Sequence, residues 1–247
     1  MMFSFRLCVF AREKFFVNQS AFMAQPWITI EKADTPDGVL ELRKRGERDF
    51  LILINNRVLM NSSANRSEVE LGRLASEAVA RGLQPRVLVG GLGMGLTLRA
   101  ALDALPETAT IVVAELNPVI EKWCQGPLAG LTGSAVQDPR VKLVVKDVAA
   151  VIADAAERPK DQFDAVIIDL YEGPGSKTDA VHDPFYGSRA LERVFRALTP
   201  GGVFAVWGEA PDSGFEKRLT SAGFSFGRER PGRGGLRHVV YVARKKG

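Results

Sequence analysis

Residues 86–95 read "RVLVGGLGMG". The first half is a short apolar run, and Gly91, Gly93 and Gly95 follow it at once. That order predicts a buried strand over 86–90 that turns through a glycine loop into a helix, "LTLRAALDAL" (96–105). Glycines at such a junction let the backbone approach a ligand closely, with the helix amides facing it. Tight packing of helix on strand also asks for glycine. The G-x-G-x-G spacing departs from the G-x-G-x-x-G of dinucleotide enzymes. It suits an adenosine-containing ligand that lacks a pyrophosphate, such as a sulfonium nucleoside.

Downstream the pattern repeats. "TIVVAEL" (110–116), "VKLVVKD" (141–147), "FDAVIID" (163–169) and "GVFAVWG" (202–208) read as strands. Between them lie helical segments: "NPVIEKWCQGPL" (117–128) with Asn117 as N-cap, "VAAVIADAAER" (148–158) and "GSRALERVFRAL" (187–198), the last stopped by "TPGG". Near-continuous apolar strands alternating with helices predict a Rossmann-like α/β fold, a mostly parallel doubly wound sheet covered on both faces. After the helix "GFEKRLTSAGF", the stretches "SFGRER" and "RHVVYVAR" flank a "PGRGG" turn and predict an antiparallel C-terminal hairpin.

Ligands of open α/β sheets bind beyond the carboxyl ends of the strands. There the chain delivers the glycine loop, then Glu115, Asp147 and Asp169 in turn. Glu115, 20 residues beyond Gly95, can accept both hydroxyls of a ribose, or it is a surface acid at a strand end. Asp147 can accept from an adenine amino group, cap the next helix, or do both through different atoms. Asp169 opens "DLYEGPG", which places Glu172 three residues on. A partly desolvated carboxylate here attracts an ammonium and takes its proton. Tyr171 is either a cation–π wall for that ligand or a loop aromatic packed on the core.

Upstream, "WITIEKA", "GVLELRKR" and "DFLILINNRVLM" predict a small antiparallel β unit over 25–63, with a tight turn at Asn55-Asn56. "SEVELGRLASEAVARG" predicts a helix ending at Gly82. Residues 64–247 then form the nucleoside-binding unit. Residues 1–24 are expected to be a poorly ordered extension, and Met23 is a candidate start.

Composition narrows the function. With 46% hydrophobic and 25% charged residues, the chain can bury a core. Two cysteines and two histidines supply neither a disulfide framework nor a histidine metal centre, and a cytoplasmic location without metal is expected. No apolar run reaches the ~18 residues of a membrane span, so no membrane partner is expected. The net charge of +4 sits partly in the C-terminal tail, whose arginines alternate with strand-forming residues. That is the pattern of a solvated hairpin, and no nucleic-acid partner is expected.

The elements "RVLVGGLGMG", "VVAELNPVIEKW", "DPRVKLVVKD", "FDAVIIDLYEGPG" and "PFYGSRALERVFRALTPGGVFAVWGE" together resemble the spermidine synthase family, the polyamine aminopropyltransferases, and its shorter, divergent bacterial branch. The resemblance implies a methyltransferase-like Rossmann domain behind a small β domain, working as a homodimer. It implies transfer of an aminopropyl group from decarboxylated S-adenosylmethionine to an amine such as putrescine, releasing methylthioadenosine. Carried over by position, Glu115 holds the ribose, Asp147 the adenine, and Asp169 is the catalytic aspartate. Glu172 stands where the family has a second acidic substrate residue.

The sequence also departs from the family. Its usual loop G-G-G-D-G-G has Gly93 at the acidic position and Met94 at the next glycine. Its usual D-S-S-D-P reads D-L-Y-E-G. The Tyr and the Gln or His that commonly follow the β domain are replaced by a segment offering Glu68 and Glu70. Without the loop acid, a methyltransferase using intact S-adenosylmethionine is the alternative, and an inactive nucleoside-binding homologue a second one.

Overall fold

A computed structural model describes residues 25–175, 177–231 and 238–246. The expected N-terminal extension, and the turn after Pro231, lie outside the described residues.

Four strands open the described chain: β1 (Ile28–Thr35), β2 (Gly38–Arg45), β3 (Asp49–Ile54) and β4 (Arg57–Asn61), an antiparallel meander in that order. Asn55 and Asn56 take φ of 47° and 64°, the left-handed pair that a two-residue turn of this hand requires. Leu40, Leu42, Phe50 and Ile52 point from this sheet into the same apolar cluster as Leu71, Leu92, Met94 and Trp123. Glu31 of β1 also accepts from Trp123 Nε1 at 3.2 Å and from Lys122 Nζ at 2.7 Å. The small sheet is thereby packed onto the elements that follow.

Helix α1 (Arg66–Glu77) stops five residues before Gly82. Its end tightens into i to i+3 turns, Val79 N donating to Ser76 O and Gly82 N to Val79 O. Then come β5 (Arg86–Gly90), α2 (Leu96–Ala104), β6 (Thr110–Glu115), α3 (Pro118–Gln125), α4 (Ala129–Thr132), β7 (Val141–Val145), α5 (Val148–Ala156), β8 (Phe163–Ile168), α6 (Ser188–Ala197), β9 (Leu198–Gly208), α7 (Ser213–Ser221), β10 (Phe224–Glu229) and β11 (Val239–Lys245). The helix expected over 117–128 is cut at Gln125, because Pro127 cannot donate and disfavours helical backbone at Gly126. Asn117 makes no side-chain cap, and Pro118 starts the helix. β9 begins four residues earlier than the expected 202, through a register shift against β8 between Phe163 and Ala165.

The seven strands run β7-β6-β5-β8-β9-β11-β10. Pairs from β7 to β9 are parallel, and β11 lies antiparallel between β9 and β10. Crossovers from β5 proceed outward to β7, and the chain then returns to place β8 on the other side of β5. That reversal leaves a crevice at the carboxyl ends of β5 and β8. Alternate strand residues explain the unbroken apolar runs. Val87, Val89, Ile111, Val113, Ala165 and Ile167 pack toward α1, α2 and α3. Leu88, Val112, Val166, Ile168, Phe204 and Val206 pack toward α5, α6 and α7. Each fully buried side chain of this size contributes roughly 1.5–3 kcal/mol relative to exposure.

Candidate active site

The glycine loop leaves β5 with φ of 90° at Gly91, 50° at Gly93 and 77° at Gly95. At two of these positions the structure shows what occupies the space. A Cβ on Gly91 would lie 2.3 Å from the carbonyl oxygen of Asp169. One on Gly93 would lie 2.4 Å from Met60 Sδ, which β4 brings over the loop. Gly91 thus admits the end of β8, and Gly93 admits a thioether at the position where the resemblance leads us to expect an acid.

Glu115, at the end of β6, is 7% exposed. Its Oε2 accepts from Leu92 N at 2.9 Å and its Oε1 from Asn117 N at 2.8 Å. The carboxylate therefore staples the glycine loop to β6. Each oxygen keeps a further acceptor position, so a pair of ligand hydroxyls can still be held. Cys124 lies close by, donating to Gly93 O at 3.3 Å. Burial first, and then the charge of Glu115, push its thiol up to about 12, which makes it inert.

Asp147 caps α5 through Oδ1, which accepts from Ala149 N at 2.8 Å. Its Oδ2 accepts from no described residue, and the side chain is exposed. Leu116 and Val145 are 56% and 50% exposed at the neighbouring ends of β6 and β7. Two bare apolar side chains beside a free carboxylate oxygen suit a flat heterocycle carrying an amino group.

Asp169 follows β8, and its N–H donates to Gly90 O at 2.8 Å, which sets it beside the glycine loop. The residue is half-buried. Its Oδ2 accepts from Thr97 Oγ1 at 2.5 Å. Burial, and then the negative charge of Glu68, push the carboxyl up to about 7, while the Thr97 hydrogen bond opposes them. Glu68 belongs to a polar chain. Its Oε2 accepts from Ser67 Oγ at 2.7 Å, and His238 Nδ1 lies 3.3 Å from the same hydroxyl. Since Ser67 gives its proton to the carboxylate, His238 Nδ1–H is the donor. The imidazole packs against Trp207, ring centres 5.4 Å apart.

The loop after Asp169 is anchored through its backbone. Trp207 Nε1 donates to Leu170 O and Tyr186 Oη to Glu172 O, each at 2.8 Å. Its side chains meet a cation from β4. Tyr171 is 41% exposed, and the guanidinium of Arg57 lies over its ring at 4.6 Å. The same guanidinium is 3.6 Å from Glu172 Oε1. The pair expected to receive a cation already holds one supplied by β4.

The structure brings Gly91, Gly93, Gly95, Glu115 and Asp169 together at the carboxyl ends of β5, β6 and β8, with Asp147 at the end of the neighbouring β7. Sequence reasoning missed Thr97, Ser67, Arg57 and His238. Thr97 left a trace, as a hydroxyl in an otherwise apolar helix face. Arg57 and His238 left none, because only the folded chain brings them to residues more than 100 positions away. Among the described residues, no three or more His, Cys, Asp or Glu side chains assemble a metal site. None of the described helices is long and apolar enough to cross a membrane.

A sheet of this strand order, with a glycine loop after the first central strand and a carboxylate at each of the next three ends, defines the class: an α/β protein of the methyltransferase-like Rossmann type. The chain belongs to the spermine/spermidine synthase family, whose domain model matches residues 79–216. It is 31% identical to the polyamine aminopropyltransferase of Mycobacterium tuberculosis over 140 residues, 57% of this chain and 25% of that protein. It is 38% identical to spermidine synthase 2 of Arabidopsis thaliana over 182 residues, 74% of this chain and 45% of that one. The chain thus spans a quarter to less than half of these two relatives. The fold is similar to that of spermidine synthase from Thermotoga maritima, with TM-score 0.65 and 18% identity over 88% of this chain and 72% of that one. A spermidine synthase solved with the transition-state analogue AdoDATO compares equally, at TM-score 0.65 and 17% identity.

Proposed function

We propose that the chain is an aminopropyltransferase that moves the aminopropyl group of decarboxylated S-adenosylmethionine to a small amine, acting as a cytoplasmic homodimer. Asp169 carries this reading. It is a carboxylate of raised proton affinity, fixed beside the glycine loop at the switch point of the sheet. The relatives' names, polyamine aminopropyltransferase and spermidine synthase, support the reaction class.

In this reaction Glu115 takes the ribose hydroxyls on its remaining lone pairs. Leu116, Val145 and Asp147 Oδ2 take the adenine. Asp169 draws in the ammonium and accepts its proton, which frees the nitrogen lone pair. The nitrogen forms its bond to the methylene beside the sulfonium, the carbon–sulfur bond breaks, and sulfur keeps the electron pair as methylthioadenosine. Sulfonium is already a good leaving group, so placing the reactants in line supplies most of the acceleration. Glu172 is the second anchor for the amine once Arg57 lets go of it.

One observation favours a second reading. Met60 fills the space beside Gly93, so no acid at that point would repel the carboxylate of intact S-adenosylmethionine. Methyl transfer through the same nucleoside site is the alternative.

Calorimetry tests the nucleoside site. Methylthioadenosine is expected to bind the wild type, and Glu115→Ala to weaken it at least about tenfold, as for two hydrogen bonds to a charged acceptor. An unchanged affinity in Glu115→Ala would remove Glu115 from the ribose role.

A further inference from the structure

A single hydroxyl lies within reach of both Asp169 Oδ2 and a backbone carbonyl. Thr97 Oγ1 is 2.5 Å from Asp169 Oδ2 and 3.2 Å from Glu68 O. Thr97 stands in the first turn of α2 and is 2% exposed. A hydroxyl has one proton to give. An ionised carboxylate takes it, because charge-assisted hydrogen bonds are about twice as strong as neutral ones. When the carboxyl is protonated both acceptors are neutral, and that preference is lost. Thr97 therefore bonds ionised Asp169 more strongly than protonated Asp169. Asp169 Oδ1 accepts no hydrogen bond from any described residue.

We infer that Thr97 is the positioning residue of this site: its hydroxyl holds Asp169 through Oδ2, leaves Oδ1 to take the proton, and favours the ionised carboxylate against the charge of Glu68. The titratable groups coupled to Asp169 are Glu68 from α1, whose charge opposes its ionisation, and Tyr186 from the segment before α6, which feels the charge of Asp169. Their charges, where ionised, are negative. Arg57, the cation on the loop after Asp169, is engaged with Glu172 and Tyr171. Thr97 is the described side chain that works against the charge of Glu68. The catalytic half of the inference rests on the base role proposed for Asp169. The half that concerns Asp169 itself does not.

The test is a pH titration of the Asp169 carboxyl by 13C NMR with labelled aspartate, its resonance assigned by its loss in Asp169→Asn. Thr97→Val removes the donor and keeps the branched shape. Its midpoint is expected about one pH unit or more above the wild type, as for a lost hydrogen bond to a charged group. Thr97→Ser keeps the hydroxyl and is expected to titrate with the wild type. If Thr97→Val does not fold, Thr97→Ala carries the same expectation. Donor-less variants that titrate with the wild type, or a serine variant that follows valine, would overturn the inference. The acidic limb of kcat/KM is then expected to move with the NMR midpoint. A moved midpoint with an unmoved limb would uphold the hold of Thr97 on Asp169 and sink the base role.

Discussion

Asp169 is pulled two ways. Burial and Glu68 favour its protonated form, and Thr97 favours the ionised one. The balance leaves its proton affinity near neutrality, where a base can both take and release a proton. The same balance has a stability signature. Its folded-state value, about 7, lies above the ~4 of an unfolded aspartate, so the folded chain binds this proton more tightly. Stability from this group is full below pH ~4 and is lost as pH rises through 7, on the order of 2–4 kcal/mol in all. Asp169→Asn is expected to abolish turnover while keeping donor affinity. It is also expected to melt higher than the wild type at pH 8 and close to it at pH 4. Retained turnover would remove Asp169 from the base role, and equal melting at pH 8 would mean the carboxylate is not held against its charge.

At the scale of elements, β4 is the unexpected participant. It sends Met60 onto the glycine loop and Arg57 onto the loop after β8. The Arg57–Glu172 contact is exposed on both sides, so its own contribution to stability is at most about 1 kcal/mol. Under the proposed function it matters because Arg57 occupies the place of the amine at Glu172. Arg57→Ala is expected to lower KM for the amine several-fold with kcat little changed. A raised KM would mean that Arg57 helps to place the acceptor. Elements such as β5 to β8 were legible because an apolar run bounded by glycine or acid admits little else. The tight Asn55-Asn56 turn was legible for the same local reason. Tyr171 was not, since nothing local to "DLYEG" shows that a cation arrives from β4. Nor was the end of α3, where Pro127 overrode a continuous helical pattern.

For the whole molecule, the small and large sheets share one apolar cluster, which joins Leu42 and Phe50 to Leu71, Met94 and Trp123. The parallel sheet with helices on both faces followed from the alternation of strands and helices, whereas the order of its strands came only with the structure. So did the fusion of the two cores, because the apolar faces of β2 and β3 do not say what covers them. Urea unfolding followed by the fluorescence of the three tryptophans and by far-ultraviolet circular dichroism is expected to give coincident transitions. Separate midpoints would mean that the small sheet unfolds alone. The central claim, that a nucleoside donor and an amine meet at Asp169 for aminopropyl transfer, is tested most directly by product identity. The chain is given intact and decarboxylated S-adenosylmethionine in equal amounts with a diamine, and the nucleoside formed is identified by mass spectrometry. The account predicts methylthioadenosine, absent with Asp169→Asn; S-adenosylhomocysteine as the product would contradict it.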